Sequence, residues 1–216
     1  LRPLVEWVSG HWHLPDSSIW EVRGETRHYV FSKVMNWVAL DRGIRIATDL
    51  SLPADLPAWT AARDAIRAEI LERGWNPTRG AFIQAYDHPD TLDAAALTIP
   101  MMGFLPWDDP RVISTVRAIQ RDLTTPDGEL VFRYLTPDGL DGEEGAFSIC
   151  TFWLAEALCR IGDRPQAERI FHRMLGYANH LGLYSEEIDP LSGEFLGNFP
   201  QAFTHIGLIQ CAVALG

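Results

Sequence analysis

The feature of this sequence that most constrains its fold is the alternation of short and long connections between helical segments. Apolar residues recur every three or four positions along most of the chain, which predicts helices. The predicted helices cover residues 2–13, 28–48, 57–73, 91–102, 110–123, 143–161, 164–180 and 200–215. The short connections include 103–109 and 162–163, and the long ones are 14–27, 74–90, 124–142 and 181–199.

This alternation predicts a stack of antiparallel helical hairpins in which every long connection emerges at the same end. Inner helices of such a stack, among them 28–48 and 143–161, should be more apolar than outer helices such as 57–73. Only 81–86 and 130–135 alternate enough to suggest short extended segments. Long connections without secondary structure are usually functional, so residues far apart in sequence are expected to share one functional face.

The composition is that of one globular unit. Hydrophobic residues make up 47% and charged residues 22% of the 216 residues, and no biased block marks a linker. The net charge of -11 and the scattered positions of the 18 lysines and arginines argue against nucleic acid as a partner. No stretch reaches the roughly 20 apolar residues that span a bilayer, so membrane insertion is not expected.

A protein-binding solenoid is the alternative architecture for stacked helical hairpins. A solenoid would repeat a sequence signature from hairpin to hairpin, and these hairpins share none.

The three cysteines, Cys150, Cys159 and Cys211, predict buried, reduced thiols rather than disulfides. Their number is odd, and the first two fall on one predicted helix, too far apart to bridge. Free thiols suit a reducing cytoplasm, which is the expected location. The chain begins with Leu1 inside a predicted helix, so any targeting signal would lie upstream of it.

Metal and cofactor chemistry have little support in the sequence. His11 and His13 are two positions apart, with no Glu or Cys at metal-ligand spacing. The sequence contains neither a Gly-x-Ser-x-Gly nucleophile motif nor a phosphate-binding glycine loop. We therefore expect no metal site and no cofactor.

Two long connections carry carboxylates suited to acid–base catalysis. Glu21 lies between Trp20 and Val22, and an apolar setting disfavours the ionised form, as a general acid requires. The connection 181–199 is acidic, and a cluster of carboxylates keeps at least one ionised, as a base that activates water requires. Its members are Glu186, Glu187, Asp189 and Glu194. A surface glutamate and a solvated acidic turn are the alternatives, but both connections are expected at one end of the stack, which favours catalysis.

Four segments, taken together, resemble glycoside hydrolase family 15, the group of glucoamylases, glucodextranases and trehalases. They are 18–24 (SIWEVRG), 31–42 (FSKVMNWVALDR), 143–147 (EEGAF) and 185–190 (SEEIDP). Their order and spacing make the resemblance specific, and it covers the chain from residue 1 to residue 216. It implies an all-α fold of antiparallel hairpins that form most of an (α/α)6 toroid, with six inner and six outer helices in the complete ring.

The resemblance also implies roles for individual residues. Glu21 matches the general acid that protonates the glycosidic oxygen, and Glu186 the general base that activates water on the opposite face of the sugar. Trp20 and Ile19 match residues that shape the subsite for the non-reducing glucose. Arg133 matches an arginine that hydrogen-bonds this sugar. Phe203 stands where fungal glucoamylases have a tryptophan, and a phenylalanine there cannot donate a hydrogen bond.

The function implied is that of a bacterial, inverting, exo-acting α-glucosidase, glucoamylase-like, that acts on an oligosaccharide or disaccharide. A trehalase of the same family, or a helical carbohydrate-binding or scaffold fragment without turnover, are the alternatives. The family's early arginine–aspartate pair has no match here, so residues 1–216 are expected to be part of the catalytic domain, with N-terminal hairpins and any β-sandwich domain absent. Such a part alone should associate with the missing N-terminal part or with itself, and should hydrolyse α-glucosides poorly.

Overall fold

Helices dominate the computed structural model, which describes residues 1–136 and 144–216. They are α1 (Arg2–His11), α2 (Val30–Asp49), α3 (Leu56–Glu69), α4 (Thr98–Met101), α5 (Pro110–Asp122), α6 (Ser148–Arg160), α7 (Arg164–Leu175) and α8 (Ala202–Leu215). A π turn, Ile70–Gly74, extends α3, and a 3-10 helix, Ala94–Leu97, precedes α4. The all-α prediction is confirmed. Glu143, the first residue of one of the resembling segments, lies outside the described residues.

Aspartates start two of the helices where the sequence predicts them. Asp55 accepts a hydrogen bond from the Ala58 N–H at 3.1 Å, and Asp109 accepts one from the Arg111 N–H at 2.9 Å. Each aspartate satisfies a backbone donor that the first helical turn leaves unpaired, and a proline follows in the same turn. The start of α3 and the start of α5 therefore follow from local sequence alone.

Two of the helices start later than predicted, because the chain forms other contacts at their starts. Helix α7 ends at Leu175 rather than at residue 180, because Gly176 caps it and its N–H bonds to carbonyl groups of the last turn. The segment 91–102 is helical only from residue 94, as a 3-10 helix that leads into the single turn of α4. The predicted helix 143–161 begins at Ser148, since the two preceding residues pair as strand β3 (Ala146–Phe147). Strand pairing across sequence-distant segments has no local signature, which is why the periodicity missed it.

In the described residues, five two-residue strands link parts of the long connections by backbone hydrogen bonds. One pair, β1 (Trp75–Asn76) and β2 (Ala81–Phe82), is antiparallel, and the other sheet runs in the order β3, β4 (Glu187–Ile188), β5 (Phe195–Leu196). The predicted extended segment 81–86 thus contributes β2, and in 130–135 Val131 forms an isolated bridge with Thr124. Pairing of Phe147 with Glu187 brings the connection 181–199 against the start of α6.

Helix α6 forms the centre of the core, as its nearly continuous apolar sequence predicts. Every residue from Ser148 to Leu158 is buried, and the helix packs against α7 and α8. Each fully buried leucine or phenylalanine side chain contributes about 1.5–3 kcal/mol of transfer free energy. Helix α3 is amphipathic and buries Trp59 and Ile66, while α2 packs against α3 and α1. The pattern of the predicted outer helix 57–73 places Arg63, Arg67 and Glu72 toward solvent. Glu72 is exposed, but Arg63 and Arg67 are half-buried, with the Arg67 guanidinium 5.0 Å from the centre of the Phe104 ring.

Several large apolar side chains on α1 and α8 are exposed. Leu4 is 69% exposed, and on α8 the exposed fractions are 51% for Ile206 and 61% for Ile209. The sequence predicts partial exposure for these three residues and for Val8, and this is confirmed, since Val8 is half-buried and packs against the core. Packing within the described chain leaves these side chains of the two helices uncovered.

Two observations bear on where the protein resides. Cys150 and Cys211 are buried, Cys159 is half-buried, and all three are free thiols, so the prediction of reduced cysteines is confirmed apart from the partial exposure of Cys159. Within residues 1–136 and 144–216, no helix combines the length and the apolar character needed to cross a membrane.

Candidate active site

The long connections meet around the indole ring of Trp20. This ring lies 5.1 Å from the ring of Phe147 and 6.2 Å from that of Trp153, measured between centroids. The Arg133 guanidinium lies 5.4 Å from the Trp20 ring, and the rings of Trp153 and Phe203 are 5.7 Å apart. Residues from two long connections and two helices are therefore brought into one region, as the alternation of connection lengths predicts.

The loop that carries Trp20 and Glu21 is closed at its ends by hydrogen bonds. Asp16 and Arg27 exchange two backbone hydrogen bonds of 2.9 Å each. The Asp16 carboxylate also accepts from the Ser18 N–H at 2.7 Å and from the Ser32 hydroxyl at 2.6 Å. Buried Lys33 donates to two carbonyl groups at the start of the loop, at 2.6 and 2.9 Å. These bonds fix both ends of the loop against α2.

Glu21 itself is exposed and has a left-handed backbone, with φ of 51°. The expectation of an apolar setting for this carboxyl is wrong, because its neighbours Trp20 and Val22 take the half-buried positions instead. Left-handed conformations are unfavourable for a residue other than glycine, and such strain clusters at functional sites. The geometry of Glu21 thus fits a side chain held out toward a ligand.

The carboxylate of Glu186 is oriented by three N–H donors. Asn198 donates to one oxygen from both its backbone and its side-chain amide, each at 3.0 Å, and the Gln201 amide donates to the other oxygen at 3.2 Å. Gly197 makes room for this arrangement, since a Cβ atom there would lie 2.7 Å from the Glu186 Oε2. The Glu186 carbonyl accepts a 2.9 Å bond from the Ser148 N–H at the start of α6.

The other acidic residues of the same connection have structural contacts. Asp189 accepts hydrogen bonds from the backbone of Leu191 and Ser192 at 2.7 and 3.1 Å, which closes a turn. The backbone N–H of Ser192, and then that of Leu191, lowers the pKa of the Asp189 carboxyl. Glu187 pairs in the small sheet and accepts from the Gly145 N–H at 3.2 Å. Glu186 is therefore the carboxylate of this cluster best placed for chemistry.

The proposed sugar-binding residues lie around the same centre. The Arg133 guanidinium lies over the rings of Trp20, Tyr134 and Phe147, at 5.4, 5.3 and 4.9 Å, and forms an ion pair with Glu144. Cation–π contacts of this kind fix the orientation of a guanidinium. Ile19 and Phe203 are half-buried and pack against the core.

An open cavity of about 370 Å³ lies beside the segment that follows Glu21. It is lined by Val22, Arg23, Gly24, Glu25, Arg27, Tyr29, Gln84, His88, Tyr134 and Thr136. A cavity of this volume can hold a small ligand, and amide, hydroxyl and guanidinium groups are suitable partners for sugar hydroxyls.

Sequence reasoning missed Asp93. Both of its carboxylate oxygens accept from the Trp20 indole N–H, at 2.9 and 3.0 Å. Its place before a run of alanines is typical of a helix start, and it does cap the 3-10 helix, with a bond of 2.8 Å from the Ala95 N–H. The sequence around Asp93 therefore indicates only a helix cap, and nothing in it indicates the contact with Trp20, which is 73 positions away.

Comparisons with known proteins identify the family of this chain. The model of the family "Glycosyl hydrolases family 15" matches residues 1–164 and 160–213. The chain is 51% identical over 216 residues to a trehalase of Mycobacterium tuberculosis, covering 99% of this chain and 31% of the relative. It is 46% identical over 204 residues to a trehalase of Thermoplasma volcanium, covering 94% of this chain and 32% of the relative. The chain thus spans about a third of the length of these curated relatives.

A glucoamylase structure from Saccharomycopsis fibuligera superposes on 99% of this chain and 60% of its own, with a TM-score of 0.77 and 13% sequence identity. At that identity the likeness shows the fold alone, and it confirms the predicted glucoamylase-like (α/α)6 architecture. Because the family model matches almost every residue and half of the sequence is shared with a trehalase, this chain belongs to glycosyl hydrolases family 15.

Proposed function

We propose that the protein carrying this chain is an inverting trehalase. The curated relatives named above are trehalases, whereas the likeness to a glucoamylase extends only to the fold. Trehalose hydrolysis, the alternative in the sequence reasoning, therefore replaces the glucoamylase-like activity as the preferred function. The observation that carries the proposal is the Glu186 carboxylate, oriented by three N–H donors in a region shared with Trp20 and Arg133.

In this proposal Glu21 and Glu186 divide the acid and base roles. Glu21 donates its proton to the glycosidic oxygen as the bond from that oxygen to the anomeric carbon breaks. Glu186 takes a proton from a water molecule whose oxygen bonds to the same carbon from the opposite face. Inversion at one centre of trehalose then gives one molecule of β-glucose, while the departing sugar is released as α-glucose.

Trp20, Arg133 and Phe203 form the wall of the sugar site in this proposal, with Ile19 beside them. Aromatic rings offer apolar surface to the faces of a pyranose, and the guanidinium offers N–H donors to its hydroxyls. Phe203 contributes apolar surface but no hydrogen-bond donor. The cavity beside residues 22–25 would hold the departing sugar.

A substrate panel tests the proposal. The protein is assayed with trehalose, maltose and isomaltose, and NMR follows the anomers of the glucose released. We expect trehalose to be preferred, with α- and β-glucose appearing in equal amounts before mutarotation. Preference for maltose would favour the glucoamylase-like function, and release of α-glucose alone from trehalose would indicate retention.

Variants of the two glutamates test their roles. Glu21→Gln and Glu186→Gln should each lower kcat by a factor of at least about 100, because an amide neither delivers nor takes the proton. Glu194→Gln is the matched control, since this exposed residue lies on the same connection as Glu186. Near-normal turnover in either active-site variant would remove that residue from the mechanism.

Location and assembly also remain proposals. A cytoplasmic location rests on the three free cysteines. Association with an N-terminal part of the protein, or with a second copy, rests on the exposed apolar faces of α1 and α8.

A further inference from the structure

Asp93 is a buried carboxylate that the proposed acid–base mechanism does not use. Only 4% of its surface is exposed. Besides the two contacts with the Trp20 indole, its oxygens accept from the Ala95 N–H at 2.8 Å and, weakly, from the Gln84 amide at 3.5 Å. All these donors are uncharged groups, so the carboxylate is buried without a hydrogen-bonded cation among the described residues.

Capping a helix does not account for this burial. Asp55 caps α3 and Asp109 caps α5 through equivalent bonds, and both caps lie nearer the surface. Burying a carboxylate costs several kcal/mol, which the charge of Arg133 offsets only in part here, and a cap contributes about 1 kcal/mol. The contact that sets Asp93 apart from these two caps is the one with Trp20.

We infer that Asp93 is a positioning residue that fixes the sugar-binding wall by holding the indole of Trp20. The same turn also reaches the other side of this wall, because the N–H of Ala94 donates to the carbonyl of Arg133 at 2.8 Å. One short segment thus sets the positions of both Trp20 and Arg133. This inference rests on the proposed function, in which these two residues contact the sugar.

The consequence for catalysis follows from chain connectivity. Glu21 is the next residue after Trp20, and its left-handed backbone depends on the conformation of this loop. If the indole turned, both the wall and the acid would shift. A displacement of about 1 Å in a reacting group lowers the rate by about 100-fold.

The test is a double-mutant cycle on kcat and KM for trehalose, made in the full protein. Asp93→Asn keeps the shape but replaces one acceptor oxygen with an NH2 group, which cannot accept from the indole. Trp20→Phe keeps an aromatic ring and removes the N–H. Each variant should lower kcat/KM by about 10- to 100-fold: in Asp93→Asn the NH2 group faces the indole N–H donor although one acceptor oxygen remains, and Trp20→Phe removes the N–H. The double variant should be no less active than the less active single variant, because both changes act on the same contact.

Asp55→Asn is the matched control, since it makes the same substitution at a helix cap remote from Trp20. It should leave kcat/KM within about twofold of the wild-type value. Melting temperatures are measured for all variants. If Asp93→Asn does not fold, Asp93→Ser takes its place in the cycle: a loss of at least tenfold that is not repeated in the Trp20→Phe background supports the inference, and wild-type kinetics overturn it.

Three other results would overturn the inference. One is an Asp93→Asn protein that melts earlier but keeps wild-type kcat and KM, which would mean a structural cap only. Another is a double variant whose loss is the product of the two single losses, since Asp93 would then not act through Trp20. The third is a wild-type protein that hydrolyses none of the three sugars, which would overturn the proposed function as well. If the wild-type protein is active and the Asp93→Asn variant has the same kinetics, only the inference is overturned.

Discussion

Replacing Asp93 with asparagine should change how the stability of the protein depends on pH. Burial raises the pKa of the Asp93 carboxyl from its ordinary value of 3.8 to about 6, against the opposing effect of the hydrogen bonds from Trp20, Ala95 and Gln84. The folded protein therefore binds this proton more tightly than the unfolded chain does. Between these two pKa values, protonation of Asp93 favours the folded state.

The sign and the size of the effect follow from linkage. The stabilising contribution is fully present below the unfolded pKa of 3.8 and is lost as the pH rises through about 6. A difference of about two pKa units corresponds to about 3 kcal/mol in total, of which about 1 kcal/mol falls between about pH 7 and about pH 5. Asparagine has no proton to bind and lacks this contribution.

Urea unfolding followed by circular dichroism measures the effect. Wild type, Asp93→Asn and the control Asp55→Asn are compared at both pH values. The free energy of unfolding of wild type relative to Asp93→Asn should rise by about 1 kcal/mol at the lower pH, whereas relative to Asp55→Asn it should not rise. A difference for Asp93→Asn that stays constant, or that shrinks on acidification, would refute the raised pKa.

Three further predictions concern packing and the geometry of the site. Gly197→Ala should lower kcat by at least about tenfold, because the new Cβ would meet the Glu186 carboxylate at 2.7 Å. Gly193→Ala is its control in steady-state kinetics: it has a similar φ of 73° but no close contact, so equal losses in both would mean that backbone strain is the cause. Gly207→Ala should lower the free energy of unfolding by about 1–3 kcal/mol, since its Cβ would lie 2.8 Å from a side chain of α6, and an unchanged urea midpoint would contradict this. In a crystal structure of the full protein, the carboxyl groups of Glu21 and Glu186 should lie about 6.5–9.5 Å apart, and a separation near 5 Å would instead indicate a retaining mechanism.

The features predicted correctly from the sequence are those that local patterns determine, namely the positions of several helices. Periodic apolar residues locate α7 and α8, and the predicted helix starts at residues 57 and 110 lie within one residue of the starts of α3 and α5. The alternating connection lengths predicted that the loops of Trp20 and Arg133 would meet, because antiparallel hairpins fix which end each loop occupies.

What the sequence did not predict depends on long-range contacts. Helix α6 starts later than predicted because Phe147 pairs with Glu187, a partner 40 positions away. Glu21 was expected in an apolar setting, yet the fold buries its neighbours and leaves it exposed. Asp93 was overlooked because its local role as a cap gives no sign of the bond to Trp20. Such contacts follow from tertiary packing, which a single sequence does not display.

The two proposed catalytic glutamates differ in how firmly the fold anchors them. The Glu186 carbonyl accepts a hydrogen bond from the start of α6, a helix that is buried from Ser148 to Leu158. Local unfolding around Glu186 must therefore break a bond to the core. Glu21 lies in an exposed stretch between pinned loop ends, where few buried contacts resist local unfolding. On warming, the acid should therefore be lost in a partial opening while the base is still in place. Inactivation would then precede global melting, and amide hydrogen exchange around Glu21 would be faster than around Glu186.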